Sequence, residues 1–159
     1  MKNVKVDIAP DAKTEIIDGL TQSLAETAIT TLKAQNFHWN VTGMAFGSLH
    51  ELFQKIYEDH FEGQDTLAER VRALEGHAEG RYSEFLKRSA ITESDGHLTA
   101  QQMIEQLKSD EETLSATLRA LAELAEQHGD LVTNNMATER AETHDKYAWM
   151  LRAHLATTA

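Results

Sequence analysis

The sequence contains no cysteine. That excludes a disulfide framework and thiolate metal ligands, and it suits a reducing compartment. Proline is nearly absent too: Pro10 stands alone, so everything after it is free to be helical. Nothing approaches the roughly 18 uninterrupted apolar residues of a membrane span. The opening Met1-Lys2-Asn3-Val4-Lys5-Val6-Asp7 lacks the apolar stretch of a signal peptide, so the cytoplasm is the expected address. Excess positive charge is also missing. Fifteen Lys and Arg face 26 Asp and Glu, a formal net charge of −11. An evenly acidic surface repels phosphate backbones and attracts metal cations.

What is present is helical periodicity over most of the 159 residues, enough for one domain with a real core and a short tail at residues 1–10. Gly43 with Gly47, Gly76 with Gly80, and the single Gly96 and Gly129 mark the breaks. Between them the spacing predicts long helices over about residues 11–41, 48–74, 99–128 and 131–155. The first carries Ile17, Leu20, Leu24, Ala28 and Leu32 at helical spacing; Thr99 is the expected N-cap of the third. The last is less clean, with Val132, Met136, Tyr147, Leu151 and Leu155. Phe85 and Leu86 mark a short extra helix near residues 83–90. The expected fold is all-α: a ferritin-like four-helix bundle with a short helix in the connection between its second and third helices. The second helix loses its apolar stripe at mid-length, at His60, Gly63 and Gln64, and such a break is a place to look for function.

Histidine and carboxylate together suit iron, zinc or manganese. The usual di-iron bundle places Glu-x-x-His on each of two helices. Here none of the eight histidines has a glutamate three residues before it, which argues against a centre enclosed in one bundle. The chain offers instead His38 at the end of the first helix, His50 at the start of the second, and Asp65 with Glu69 further along. Asp65 and Glu69 are one helical turn apart and share a face. Taken alone, such a pair is a solvated face, and a lone histidine is a hydrogen-bonded structural one. Geometry narrows the choice. His50 and Asp65 lie about 22 Å apart along a continuous helix rising roughly 1.5 Å per residue. One cation cannot touch both within one chain. Two copies of the helix, antiparallel about a two-fold axis, would bring the histidine end of each to the carboxylate end of the other. The same distance disfavours a mononuclear zinc hydrolase, which needs three ligands converging within one chain.

The segment Phe37-His38-Trp39-Asn40-Val41-Thr42-Gly43, then Leu49-His50-Glu51-Leu52-Phe53, Tyr57, Asp65 and Ala68-Glu69-Arg70, resembles the signature of the Dps family of mini-ferritins. The stretch His144-Asp145-Lys146-Tyr147-Ala148-Trp149-Met150-Leu151-Arg152-Ala153 is similar to that family's last helix. The resemblance implies a homododecameric shell with ferroxidase sites at two-fold interfaces. His38 and His50 would come from one chain, and Asp65 and Glu69 from its partner. It implies ferrous iron as substrate, hydrogen peroxide as preferred oxidant, and ferric mineral in the cavity; zinc or another divalent ion would fit the same ligands. Trp39 resembles the family's site tryptophan, its alternative role being packing at the helix end. Two departures stand out. Gln54 occupies a position that is often acidic, weakening the expected hold on a second iron. The family's Asp-x-x-Thr-Ala-Asp pore stretch reads Asp130-Leu131-Val132-Thr133-Asn134-Asn135 here, keeping Asp130 only. His60, between the two halves of the site, completes the accessory candidates. The competing function is a nucleoid protein that shields DNA through a lysine-bearing tail. In residues 1–13, however, Lys2, Lys5 and Lys13 are offset by Asp7 and Asp11, and DNA binding is disfavoured at neutral pH.

Overall fold

A computed structural model describes residues 7–155. The elements are α1 (Pro10–Asn40), α2 (Phe46–Ala73), α3 (Tyr82–Arg88), α4 (Ala100–Gln127) and α5 (Leu131–Leu155), with no strand among the described residues. Lys2 and Lys5, two of the three lysines in the tail's charge argument, lie outside the described residues; Pro10 already occupies the first turn of α1.

The sequence chemistry explains where the helices start and stop. Thr99 caps α4 in a reciprocal box: its hydroxyl accepts from Gln102 N at 3.2 Å, and Thr99 N donates to the Gln102 side chain at 2.9 Å. Gly43, at φ +107, turns the chain between α1 and α2, a conformation that an L side chain adopts only under strain. Asp130 opens α5. Its carboxylate accepts from Thr133 N at 3.0 Å and from the Thr133 hydroxyl, and it pairs with Arg70 Nη2 at 2.7 Å. With only 3% of Asp130 exposed, that carboxylate is committed to capping the helix and to Arg70.

Helices α1 and α2 form one hairpin, α4 and α5 another, and residues 74–99 cross between them. The crossover is fastened to α1 from inside. Buried Glu26 accepts from Thr117 Oγ1 at 2.6 Å, Gln22 Nε2 at 2.7 Å and Ala90 N at 3.3 Å. Buried Lys33 pairs with Asp110 at 2.8 Å and donates to the Thr92 carbonyl at 3.0 Å. Burial pushes the Asp110 carboxyl up to about 6, and the Lys33 charge offsets this only in part.

The core is in two parts. Leu20, Leu24, Leu67, Val71, Leu114 and Leu118 belong to one apolar cluster; Phe37, Leu49, Phe53, Ile56, Leu107 and Leu151 belong to the other. Each such side chain stabilises the fold by about 1.5–3 kcal/mol on burial. Two stripe positions differ from the sequence expectation. Leu32 is exposed, on the outer side of α1, and Val132 is exposed in the first turn of α5. The buried face of α5 consists instead of Thr133, Ala137, Ala141, His144, Ala148 and Leu151, mostly small residues. Small side chains let α5 approach its neighbours closely but leave a weak apolar pattern.

Candidate metal centres

The tight turn at Gly43 brings the last turn of α1 against the first turn of α2, and with it His38 against His50. Their rings stack with centroids 3.7 Å apart. His38 Nδ1 donates to the His50 carbonyl at 2.7 Å, and His50 Nδ1 donates to the His38 carbonyl at 2.8 Å. A carbonyl can only accept, so each Nδ1 donates and each Nε2 is the nitrogen left to meet a cation. Neither Nε2 has a hydrogen-bond partner among the described residues. Tyr57 meets His38 edge-on at 5.3 Å, and Phe46 stacks on His50 at 5.0 Å, which fixes both rings. Two imidazoles are thus held in one orientation with both Nδ1 atoms occupied, the arrangement that protein surroundings give to metal-binding histidines.

Asp65 and Glu69 lie exposed on α2 and make no hydrogen bond or ion pair among the described residues. The structure does not bring them to His38 and His50: α2 is one continuous helix over Phe46–Ala73, with His50 near its start and both acids in its second half. Of the accessory candidates, Gln54 donates to Glu58 at 2.8 Å, leaving its amide oxygen outward as a neutral acceptor. Trp39 is exposed and lines a shallow hollow of about 250 Å³ with Leu32, Tyr82 and Leu86.

His60 is the correction. Far from lying between the halves of an interface site, it is fully buried and turned into the bundle. Its Nε2 meets Glu111 Oε1 at 2.6 Å, and the other oxygen of Glu111 meets His144 Nδ1 at 2.5 Å. Three potential ligands therefore do converge within one chain, from α2, α4 and α5, although no Glu-x-x-His announces them. The signal available was register. Glu111 occupies the core position between Leu107 and Leu114, and His144 the one between Ala141 and Ala148.

The protons of this cluster follow from its partners. His60 sits between two carboxylates, with Nδ1 at 2.9 Å from Asp59 and Nε2 on Glu111, so both nitrogens donate and the ring is charged. Burial alone would lower its pKa, but the Glu111 charge and the two carboxylate bonds outweigh it and raise it. His144 is neutral. Burial lowers its pKa beyond what Glu111 restores, and its Nε2 accepts from Arg140 at 3.3 Å. Burial would raise Glu111, yet the two imidazoles hold it down at about 2. Arg140 completes the balance with bonds of 3.1 and 2.9 Å to Asp59, whose carboxyl stays well below the usual range despite its burial.

An all-helical pair of hairpins with a long crossover and histidines and acids placed in this way defines a ferritin-like protein. The sequence profile of the ferritin-like domain matches residues 17–159. The DNA protection during starvation protein 2 of Bacillus anthracis is 33% identical over 141 residues, 89% of this chain and 97% of that one. The crystal structure of antigen TpF1 from Treponema pallidum superposes with a TM-score of 0.92 at 31% identity, covering 97% of this chain and 99% of that one. The Dps protein of Vibrio cholerae O1, described as a member of a broad superfamily of ferritin-like diiron-carboxylate proteins, superposes with a TM-score of 0.90 at 27% identity, covering 94% of each chain. The chain belongs to the Dps family.

Proposed function

We propose that the chain is a subunit of a homododecameric shell that oxidises ferrous iron at two-fold interfaces and stores the ferric product inside. His38 and His50 of one subunit and Asp65 and Glu69 of its partner hold the iron. The observation that carries this reading is the reciprocal bonding of His38 and His50, which fixes both rings and leaves their Nε2 atoms without a partner among the described residues. Two acids without partners among the described residues lie further along the same helix, about 22 Å from His50 to Asp65 and about 28 Å to Glu69 at roughly 1.5 Å per residue, distances that a second copy bridges. Imidazole and carboxylate together suit ferrous iron and tolerate ferric. The exposed Leu32, Trp39, Phe61 and Tyr82 supply apolar area on the same side for that copy to cover.

Hydrogen peroxide is the oxidant we favour. With two ferrous ions bound, it accepts one electron from each and two protons, and leaves as two water molecules, so no hydroxyl radical is released. The work belongs in the cytoplasm; no described helix is long and apolar enough to cross a membrane. Zinc or another divalent ion would occupy the same ligands. DNA protection, named for the Bacillus anthracis relative, is the secondary reading, and the net charge of −11 opposes it.

The test is His50→Ala. With the shell intact by solution mass, oxidation of ferrous iron by peroxide is expected to slow by about tenfold or more. Equal rates for variant and parent would refute the assignment.

A further inference from the structure

The two apolar clusters of the core are separated by a polar belt. At mid-height, α2, α4 and α5 each turn a titratable side chain inward, His60, Glu111 and His144, all at 0% exposure. One ligand atom from each lies within 4.8 Å of the others. We propose that these three residues form a second cation site, enclosed within each subunit and separate from the interface site, that takes a divalent transition ion such as ferrous iron or zinc.

Four features support the assignment. Two imidazoles and one carboxylate form a ligand set that such ions accept. The ligands stand on three helices rather than on loops, so their spacing is built into the fold. Asp59 holds the far nitrogen of His60 at 2.9 Å, as outer carboxylates do for metal-bound histidines. Finally, a buried ion pair with a neutral imidazole is often no more stabilising than apolar residues of the same volume, which leaves another use for it open.

The proton balance is explicit. Without a cation, the His60 Nε2 proton and the His144 Nδ1 proton both point at Glu111, one to each oxygen. An incoming ion takes the place of those two protons. The first leaves to solvent. The second moves across the ring to His144 Nε2, the ligating Nδ1 becoming a lone pair. That outer nitrogen faces Arg140 at 3.3 Å, so the guanidinium must release it and rest on Asp59 alone, to which it already makes two bonds. Arg140 therefore opposes the cation. Gly63 gives it the space to stand there, since a Cβ on Gly63 would come within 2.9 Å of the guanidinium.

This inference does not depend on the interface site, and its test removes that site. The shell carrying His38→Ala, His50→Ala, Asp65→Ala and Glu69→Ala is stripped with a chelator and titrated with Co2+, whose visible d–d bands report nitrogen and oxygen ligands. About one Co2+ per chain is expected to remain bound, as three protein ligands provide for. Adding Glu111→Gln should abolish it. Adding Arg140→Gln should tighten it by about tenfold or more, because a like charge a few ångströms away is gone; a purely structural network would show no such gain. Should those variants fail to assemble, crystals of the unsubstituted protein soaked in Co2+ decide, by an anomalous peak between His60, Glu111 and His144. No anomalous peak there, or Co2+ binding that survives Glu111→Gln unchanged, would overturn the proposal.

Discussion

Replacing Asp130 by alanine removes two things at once, and their sizes can be estimated separately. The first is the cap of α5. The carboxylate accepts from Thr133 N at 3.0 Å, and losing such a cap costs about 1 kcal/mol. The second is the partner of Arg70, whose side chain is only 11% exposed. Breaking a buried pair costs about 3–5 kcal/mol when nothing replaces it. Arg70 Nε keeps its 2.9 Å bond to Thr133 Oγ1 and some access to water, so the low end applies. Together Asp130→Ala should cost about 3–4 kcal/mol, whereas Asp130→Asn, which keeps an accepting oxygen for the cap, should cost about half as much. Denaturant unfolding followed by far-ultraviolet circular dichroism measures both, at matched protein concentration because assembly adds to apparent stability. A loss below about 1 kcal/mol for the alanine variant, or equal losses for the two, would show that the cap and ion pair do not hold this end of α5.

Three further outcomes follow from other parts of the chain. Gly63→Ala should change stability by less than about 1 kcal/mol, because alanine gains roughly 0.5–1 kcal/mol over glycine inside a helix while its Cβ, 2.9 Å from Arg140 Cζ and Nη2, pushes only on the far end of a flexible side chain; a loss above about 2 kcal/mol in thermal unfolding would mean that Arg140 cannot yield. Gly43→Ala should cost about 1 kcal/mol through its φ of +107 alone, there being open space around it; an unaltered midpoint in urea would contradict that strain. The assembled protein should leave DNA unretarded in gel shifts at about 0.15 M salt, and sub-micromolar binding there would mean that a local basic patch outweighs the net charge of −11.

Much of this was legible in the residues. Glycine positions and apolar spacing gave the four long helices and the short one, because helix ends are written in local chemistry such as the Thr99 cap. The reading of α5 was weaker, since Ala137, Ala141 and Ala148 pack through smallness and leave little amphipathic contrast. The exposure of Leu32 escaped for a related reason: periodicity cannot tell a core stripe from an exposed apolar face. His38, His50, Asp65 and Glu69 were singled out by spacing and family resemblance as the proposed site, but the bonds that fix the two imidazoles became visible only once α1 met α2. Glu111 and His144 were missed because they share no local motif with His60; only the fold brings three distant helices together. For Asp130 the residues offered only a resemblance, and the structure adds its bonds to Thr133 and Arg70.

The shared nature of the interface site is open to one direct measurement. One variant chain lacks His38 and His50, and another lacks Asp65 and Glu69. Each assembled alone should be nearly inactive toward ferrous iron, since every site lacks half its ligands. Refolded together, the histidines of the second meet the carboxylates of the first, rebuilding one of the two sites in each mixed dimer. With random mixing, half the dimers are mixed, so roughly a quarter of all sites should return. Ferroxidase activity near a quarter of the parent's is the predicted result. Activity no higher than that of either variant alone, with mixing confirmed by mass, would contradict it.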